Sequence, residues 1–433
     1  MKLSTLMKRG LAVGLVGAMA VGLVACGDKK DDANQSSANS DKAAASDVTL
    51  KFQQWWGVEL PEGYLEDICA QFKEDTGITV ELLSAPWANT KEQIVSGAAN
   101  KTVADIVSVD GAWLSEFTDM GILTDLTAAG VDANLATDTW KVGDTSYVVP
   151  VLNFAYPMYV NMDILEEAGV KEIPKTWSEM IEACKKIKAA GKSAFALNLG
   201  TENPNGIQNV YMGTGWASGM ALKDDSGAYK VEGSEDLVSL AEFFKTLNDN
   251  GCLYPGANTL EEAAMTSNFA AGNCAFTLAS AATMGTFKDV NFQATTVPVK
   301  DGYEGKSGIC YASWAVGISE NCENKEAAAK FVNYLLGGKD GKDGSVSAGL
   351  AQTQSAFPNS TVAQPDYSSA PQQFQDFYEL YKENYVINEF IGLPNATDVM
   401  TNMTNDVVKY LDGSLDADAM LKNWQGYLDE ATK

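Results

Sequence analysis

Several residues in this sequence are suited to holding an uncharged, hydroxyl-rich molecule. Trp55 and Trp56 follow the apolar run 48–52 and stand beside Gln53, Gln54 and Glu59. Successive strand residues point to opposite faces, so at least one of the two rings is expected to leave the core. Asp110 follows a second apolar run, 104–109, and Trp113 comes three residues later. Trp216, in the segment GWASG at 215–219, suits either a cleft or the core. Flat rings can cover the weakly apolar C–H faces of a sugar, and an aromatic side chain buries roughly 150–250 Å² when it does so. Carboxylates and amides beside such rings can pair with hydroxyls without demanding a charge from the ligand.

What is missing narrows the chemistry further. The chain has 433 residues, no histidine and one arginine, Arg9. Catalytic arrangements built on histidine are therefore excluded, as are histidine zinc sites. Guanidinium capture of a carboxylate or phosphate is excluded past residue 9. The formal net charge is −26. That argues against nucleic acid as a partner, because phosphate binding needs a basic surface. Of seven cysteines, none forms a C-x-x-C pair, so neither a thioredoxin-like nor a zinc-ribbon reading has support. Cys69 and Cys184 fall on apolar helix faces and read as small buried hydrophobes. A Cys252–Cys274 disulfide is open on sequence grounds. No metal site and no cofactor are expected.

The start of the chain carries a different chemistry. Lys2, Lys8 and Arg9 precede an apolar stretch at 10–23, which ends in LVAC at 23–26. The stretch is shorter than the roughly 20 residues a bilayer span needs, and its flanks are those of a signal peptide. The ending resembles the bacterial lipobox, which implies cleavage before Cys26 and a diacylglycerol thioether on its sulfur. Residues 26–46, mostly Ser, Ala, Asn, Asp and Lys, lack the large apolar side chains that would offset ordering entropy. They read as a flexible tether.

The elements that must position these residues follow from periodicity. Strands are predicted at 48–52, 78–83 and 104–109. Helices are predicted at 61–75, with Leu65, Ile68, Cys69 and Phe72 on one face, and at 90–99. This β-α-β-α-β order implies a parallel sheet covered by helices. Further strands are predicted at 147–151, 158–161, 195–199, 274–278, 294–299 and 314–319. Thr176 and Glu179 make a capping box for a helix through Ile187. Helices are also expected around 237–247, at 327–336 and from residue 398 onward, and 339–344 reads as a polar loop. Nearly 390 residues after the tether exceed what one core usually serves, so two domains are expected.

The order of segments resembles the family-1 extracellular solute-binding proteins of ABC importers, the maltose-binding-protein-like group. The likeness rests on FKEDTGITV at 72–80, ADIV at 104–107 leading to Asp110, and FTDMGILTDL at 117–126. It continues through Pro150, MYVNMDIL at 158–165 with Gly169, PKTWSE at 174–179 and FAAGNCAF at 269–276. It implies an α/β, type II periplasmic-binding-protein-like fold. Its N-lobe would be 47–152 plus 300–358 and its C-lobe 153–299 plus 359–433, closing by hinge motion over a ligand cleft. It places Asp110 and Trp113 toward the cleft, Asn153 and Phe154 at the lobe crossover, and Asn205 and Gln208 on a cleft loop. Ser280 stands where some relatives carry a stacking aromatic, and Phe154 where some carry a carboxylate. Tyr311 and Trp314 precede a strand returning to the first lobe; Asn388 and Asn395 complete the candidates.

The implied function is capture of a neutral mono- or oligosaccharide by a monomeric, lipid-anchored extracytoplasmic protein. It would deliver the sugar to ABC permease transmembrane subunits and touch the membrane only through its lipid. Three alternatives stay open: glycoside hydrolysis by a carboxylate pair, for which 57 acidic residues offer many chance pairs; a cationic solute such as a polyamine; and a surface glycan adhesin with no role in transport.

Overall fold

The computed structural model describes residues 48–56, 59–340, 345–363 and 365–433. The leader, Cys26, the tether and residues 341–344 of the 339–344 loop lie outside the described residues.

The first sheet begins with β1 (Thr49–Gln54), β2 (Thr79–Ser84) and β3 (Ile106–Asp110). β1 runs parallel to both of its neighbours, pairing Thr49 with Thr79 and Phe52 with Ile106. The helix Tyr64–Thr76 joins β1 to β2 and buries Leu65, Ile68, Cys69 and Phe72. It stops at Gly77, whose φ of 77° is a left-handed value that glycine adopts without a Cβ penalty. Its N–H donates to the Lys73 carbonyl at 2.8 Å. The helix Trp87–Asn100 joins β2 to β3.

The chain then makes β4 (Trp140–Val142), β5 (Thr145–Ala155), β6 (Met158–Asn161), β7 (Ser193–Ala196), β8 (Cys274–Leu278) and β9 (Phe292–Thr295). β10 (Gly308–Ile318), β11 (Phe357–Pro358) and β12 (Tyr385–Ile387) follow. β10 inserts antiparallel between β3 and β5, so the first sheet runs β11-β5-β10-β3-β1-β2. The parallel βαβαβ start is as expected, while the antiparallel return strand is a tertiary feature. β10 also begins six residues before the predicted Trp314, because the stretch from Gly308 pairs first with β12 and then with β5.

The second sheet has the order β7-β8-β6-β9. Helix Trp177–Ala189 packs over it with Trp177, Met180, Cys184 and Ile187 buried, and its Thr176–Glu179 capping box is complete. Helices Glu235–Asp249, Ala396–Asp412 and Ala417–Ala431 add Phe244, Met403 and Trp424 to the same core. A separate core gathers Phe52, Ile106, Val149, Val316 and Phe331 around the first sheet. The fold is thus two-lobed α/β. β5 and β10 cross from one core to the other. Val149 and Phe154 belong to the first core and Ala155 to the second; Ala315 and Tyr311 belong to the first and Cys310 to the second.

Candidate functional site

A cavity of about 560 Å³ opens where the two cores meet. Its position follows from strand direction. β3 ends at Asp110, and β10 places Trp314 directly opposite it across the ladder. The end of β5 brings in Phe154, which pairs with Ala312, two residues before Trp314. Asp110, Trp314 and Phe154 line the cavity.

The first wall is aromatic. Trp87 opens its helix just past the end of β2 and is 45% exposed. Its ring stacks on Trp113 with centroids 5.7 Å apart and planes at 27°. Trp113 meets Trp55 at 5.3 Å, Trp55 meets Trp314 at 5.4 Å, and Trp314 meets Phe154 at 4.9 Å. Four of these five rings face the cavity and Trp55 supports them from behind. Trp140 extends the wall, and its Nε1 donates to the Tyr311 hydroxyl at 3.1 Å.

Asp110 is the polar group set into that wall. One carboxylate oxygen accepts from the Ala112 amide at 3.0 Å, and the other from Trp87 Nε1 at 3.2 Å. Burial raises its pKa above the usual carboxylate value, and these two hydrogen bonds oppose the rise.

The facing wall is built from the amides Asn203, Asn205, Gln208 and Asn388 and the carboxylate Glu202; Glu262 is not in the lining but holds Asn205. Asn205 accepts from Asn198 Nδ2 at 3.2 Å and donates to Glu262. Glu262 is raised by burial and held down by hydrogen bonds from Asn205 and Tyr156. The turn before Gln208 needs Gly206, because a Cβ there would lie 1.6 Å from the Asn198 carbonyl oxygen. Asn388 Nδ2 donates to the Tyr311 carbonyl at 2.9 Å and to Gln208 Oε1 at 3.3 Å. The lining contains no Lys. Lys91, the ammonium that acts on Asp110, is paired with Glu116 at 2.6 Å.

Of the residues singled out in the sequence, Asp110, Trp113, Phe154, Asn205, Gln208, Ser280, Trp314 and Asn388 line this cavity. Trp55, Trp56, Asn153, Trp216, Tyr311 and Asn395 do not. The expectation that Trp55 or Trp56 leaves the core is corrected: they are 8% and 2% exposed. β1 ends at Gln54, so strand alternation no longer applies to them, and Trp56 packs on Phe52 at 5.4 Å. Asn153 is sent away from the cavity by the alternation that directs Phe154 into it, and its Nδ2 reaches the Tyr381 hydroxyl at 3.4 Å. Trp216 is fully buried and donates to Glu389 at 2.8 Å. Tyr311 stands behind Trp140.

Sequence reasoning missed Trp87, Trp140 and Tyr156. Trp87 follows a strand end and was open to the rule that singled out Trp113. Tyr156 lies two residues beyond Phe154. Trp140 offered no local signal.

The sequence profile described as bacterial extracellular solute-binding protein matches residues 57–342. The chain belongs to this family. It is a solute-binding protein of the ABC-transporter type, not an enzyme. One relative is the diacetylchitobiose-binding protein of Streptomyces coelicolor. It is 22% identical over 377 residues, which is 83% of this chain and 84% of that one. Among solved structures, the cyclic alpha-maltosyl-1,6-maltose binding protein of Arthrobacter globiformis superposes with a TM-score of 0.74 at 16% identity, over 89% of this chain and 98% of that one. The galacto-N-biose/lacto-N-biose I-binding protein of a Bifidobacterium longum ABC transporter, in complex with lacto-N-biose, has a TM-score of 0.68 at 20% identity. That match covers 89% of this chain and 96% of that one. Among the described residues no helix is long and apolar enough to cross a membrane.

Proposed function

We propose that this solute-binding protein captures a neutral oligosaccharide between its lobes and presents it to an ABC permease from the outer face of the cell membrane, held there by a lipid on Cys26. The observation that carries the reading is the arc of Trp87, Trp113, Trp314 and Phe154, interrupted by Asp110 and faced by Asn205 and Gln208, with no cationic side chain in the lining. Rings would cover sugar C–H faces while the carboxylate and amides pair with hydroxyls, and an anionic sugar would meet Asp110 without a counter-charge. The likeness to binders of diacetylchitobiose, cyclic maltosyl-maltose and lacto-N-biose supports the same ligand class. We assign 47–152 plus 300–358 to one lobe and 153–299 plus 359–433 to the other. The hinge lies in β5 and β10, the two long strands shared by both cores.

A second reading has its own observation. Asp110 and Glu202 bring two carboxylates to the aromatic-walled cavity, which suits a cationic solute such as a polyamine through charge and cation–π attraction. One experiment separates the two. The soluble form beginning at Ser46 is screened by thermal shift against neutral oligosaccharides, with spermidine and glycerol 3-phosphate as controls. A ligand at about 100 times its Kd adds about 2.7 kcal/mol, a shift of several degrees. A shift with one neutral glycan class, together with a smaller radius of gyration in solution scattering, is the expected result. A shift with spermidine alone would replace this reading by the second.

A further inference from the structure

Several buried side-chain polar atoms make no hydrogen bond among the described residues, and of these only Asn209 Nδ2 belongs to a residue that lines the ligand cavity. Asn209 is 2% exposed. It sits in the six-residue π-helical turn Ile207–Met212, a wide turn closed by the Gly213 N–H on the Gln208 carbonyl five residues back. A wide turn separates successive side chains by less than the roughly 100° of an α-helix, and Gln208 and Asn209 both line the cavity. Gly213 lets β10 approach the turn, since a Cβ there would lie 3.3 Å from Cys310 Cβ. Two other amides of the wall direct their N–H groups into the protein: Asn205 Nδ2 to Glu262, and Asn388 Nδ2 to the Tyr311 carbonyl and Gln208 Oε1. On Asn209 itself, Oδ1 receives only the Cys310 thiol at 3.8 Å, a weak donor that also lies 3.5 Å from the Gln208 carbonyl. Tyr156, also in the lining, feels the Asn209 amide, which opposes the burial that raises its pKa. That contact falls outside hydrogen-bond geometry, and Nδ2 stays without a partner. A buried N–H left unpaired costs free energy that a bound acceptor recovers.

We propose that Asn209 is a specificity-determining residue of this site, its Nδ2 donating to an acceptor oxygen on the most deeply inserted unit of a bound neutral glycan. The inference rests on the oligosaccharide reading given above and deepens it. Ionised Asp110 only accepts hydrogen bonds, while the Asn209 N–H donates one. The two together suit a ring whose hydroxyls do both. A hydroxyl or an acetamido carbonyl would pair Nδ2. An ammonium has donors and no acceptor, so a polyamine would leave Nδ2 unpaired. A sugar without an oxygen at this position would shut the amide away from water with no partner, and sites built to bond a hydroxyl reject such analogues strongly.

The test compares wild type with Asn209→Leu, which keeps a branched side chain and removes the amide. Both proteins are melted without ligand and titrated by calorimetry with diacetylchitobiose, lacto-N-biose, maltose and spermidine. The variant gives up no hydrogen bond from Nδ2, so its ligand-free melting temperature should equal or exceed that of wild type. Its affinity for the sugar that wild type binds should fall roughly tenfold or more. The first two sugars carry acetamido groups and maltose only hydroxyls, so the pattern across the three separates the two sources of the oxygen. Equal sugar affinity in both proteins would overturn the inference and leave the oligosaccharide reading standing. A variant that melts well below wild type yet keeps its affinity would make Asn209 a packing residue and overturn it as well. Spermidine bound in place of these sugars would sink the oligosaccharide reading itself, and the inference with it. Should leucine prove too bulky for the turn, Asn209→Ala makes the same comparison, with lost affinity expected and unchanged affinity decisive against the proposal.

Discussion

In the proposed site, Asp110 would serve binding at a cost to the empty protein. Burial raises its pKa, so ionising it disfavours the folded state. The sign follows from linkage: a carboxyl raised on folding contributes stability below its unfolded value, near 3.9, and that stability is lost as pH rises through its folded value. Asp110→Asn keeps an oxygen for the Ala112 amide and removes the buried charge. The variant should therefore gain melting temperature relative to wild type as pH rises from about 4 to 7. The same change should weaken sugar binding by roughly 10- to 100-fold, the worth of a hydrogen bond to a charged group. Calorimetry and melts across that pH range measure both, and a variant that loses stability steadily with pH would contradict the assignment.

At the scale of elements, the site depends on how strands and turns end. β3 terminates in Asp110, whose side chain caps the next turn, so local chain geometry and the proposed ligand chemistry would share one residue. The facing wall depends on the close approach of Gly206 to Asn198. A Cβ at 206 would collide with backbone, not with a flexible side chain, so the turn must shift and Asn205 must part from Asn198 or Glu262. Gly206→Ala should cost about 1–3 kcal/mol of stability and reduce affinity by roughly tenfold or more. A variant with wild-type affinity for the sugar found in the screen would show that this turn does not set the wall. The periodic elements were legible beforehand. The run of Leu65, Ile68 and Phe72 and the Thr176–Glu179 box state their structure in local spacing. The early start of β10 was not legible, because Gly308 and Ala312 carry no strand signal and pair only through β12 and β5.

For the whole molecule, the cavity lies where two chain segments cross between separately packed cores, and the proposed hinge would move one core against the other without unpacking either. The proposed lipid anchor belongs to this scale too. Two acyl chains hold a protein to a bilayer stably where one holds it marginally. Full-length protein should therefore partition into detergent, and Cys26→Ser should move it to the aqueous phase. Equal partitioning of both would remove the anchor from the proposal.

Much of this protein was settled by composition and periodicity alone. A chain without histidine and with a single arginine cannot build the commonest catalytic or anion-gripping sites, whatever its fold. Alternating and helical spacing required parallel strands covered by helices, because each apolar face needs a partner. The site was legible where a strand end names it, as at Asp110 and Trp113. Tertiary structure decided the rest. It turned Trp55 and Trp56 inward and sent Trp216 to Glu389. It also brought Trp87, Trp140 and Tyr156 to one cavity from three separate parts of the chain. The physical reason is that a side chain's direction past the end of an element is set by what packs against it, and the residues that pack there are distant in sequence.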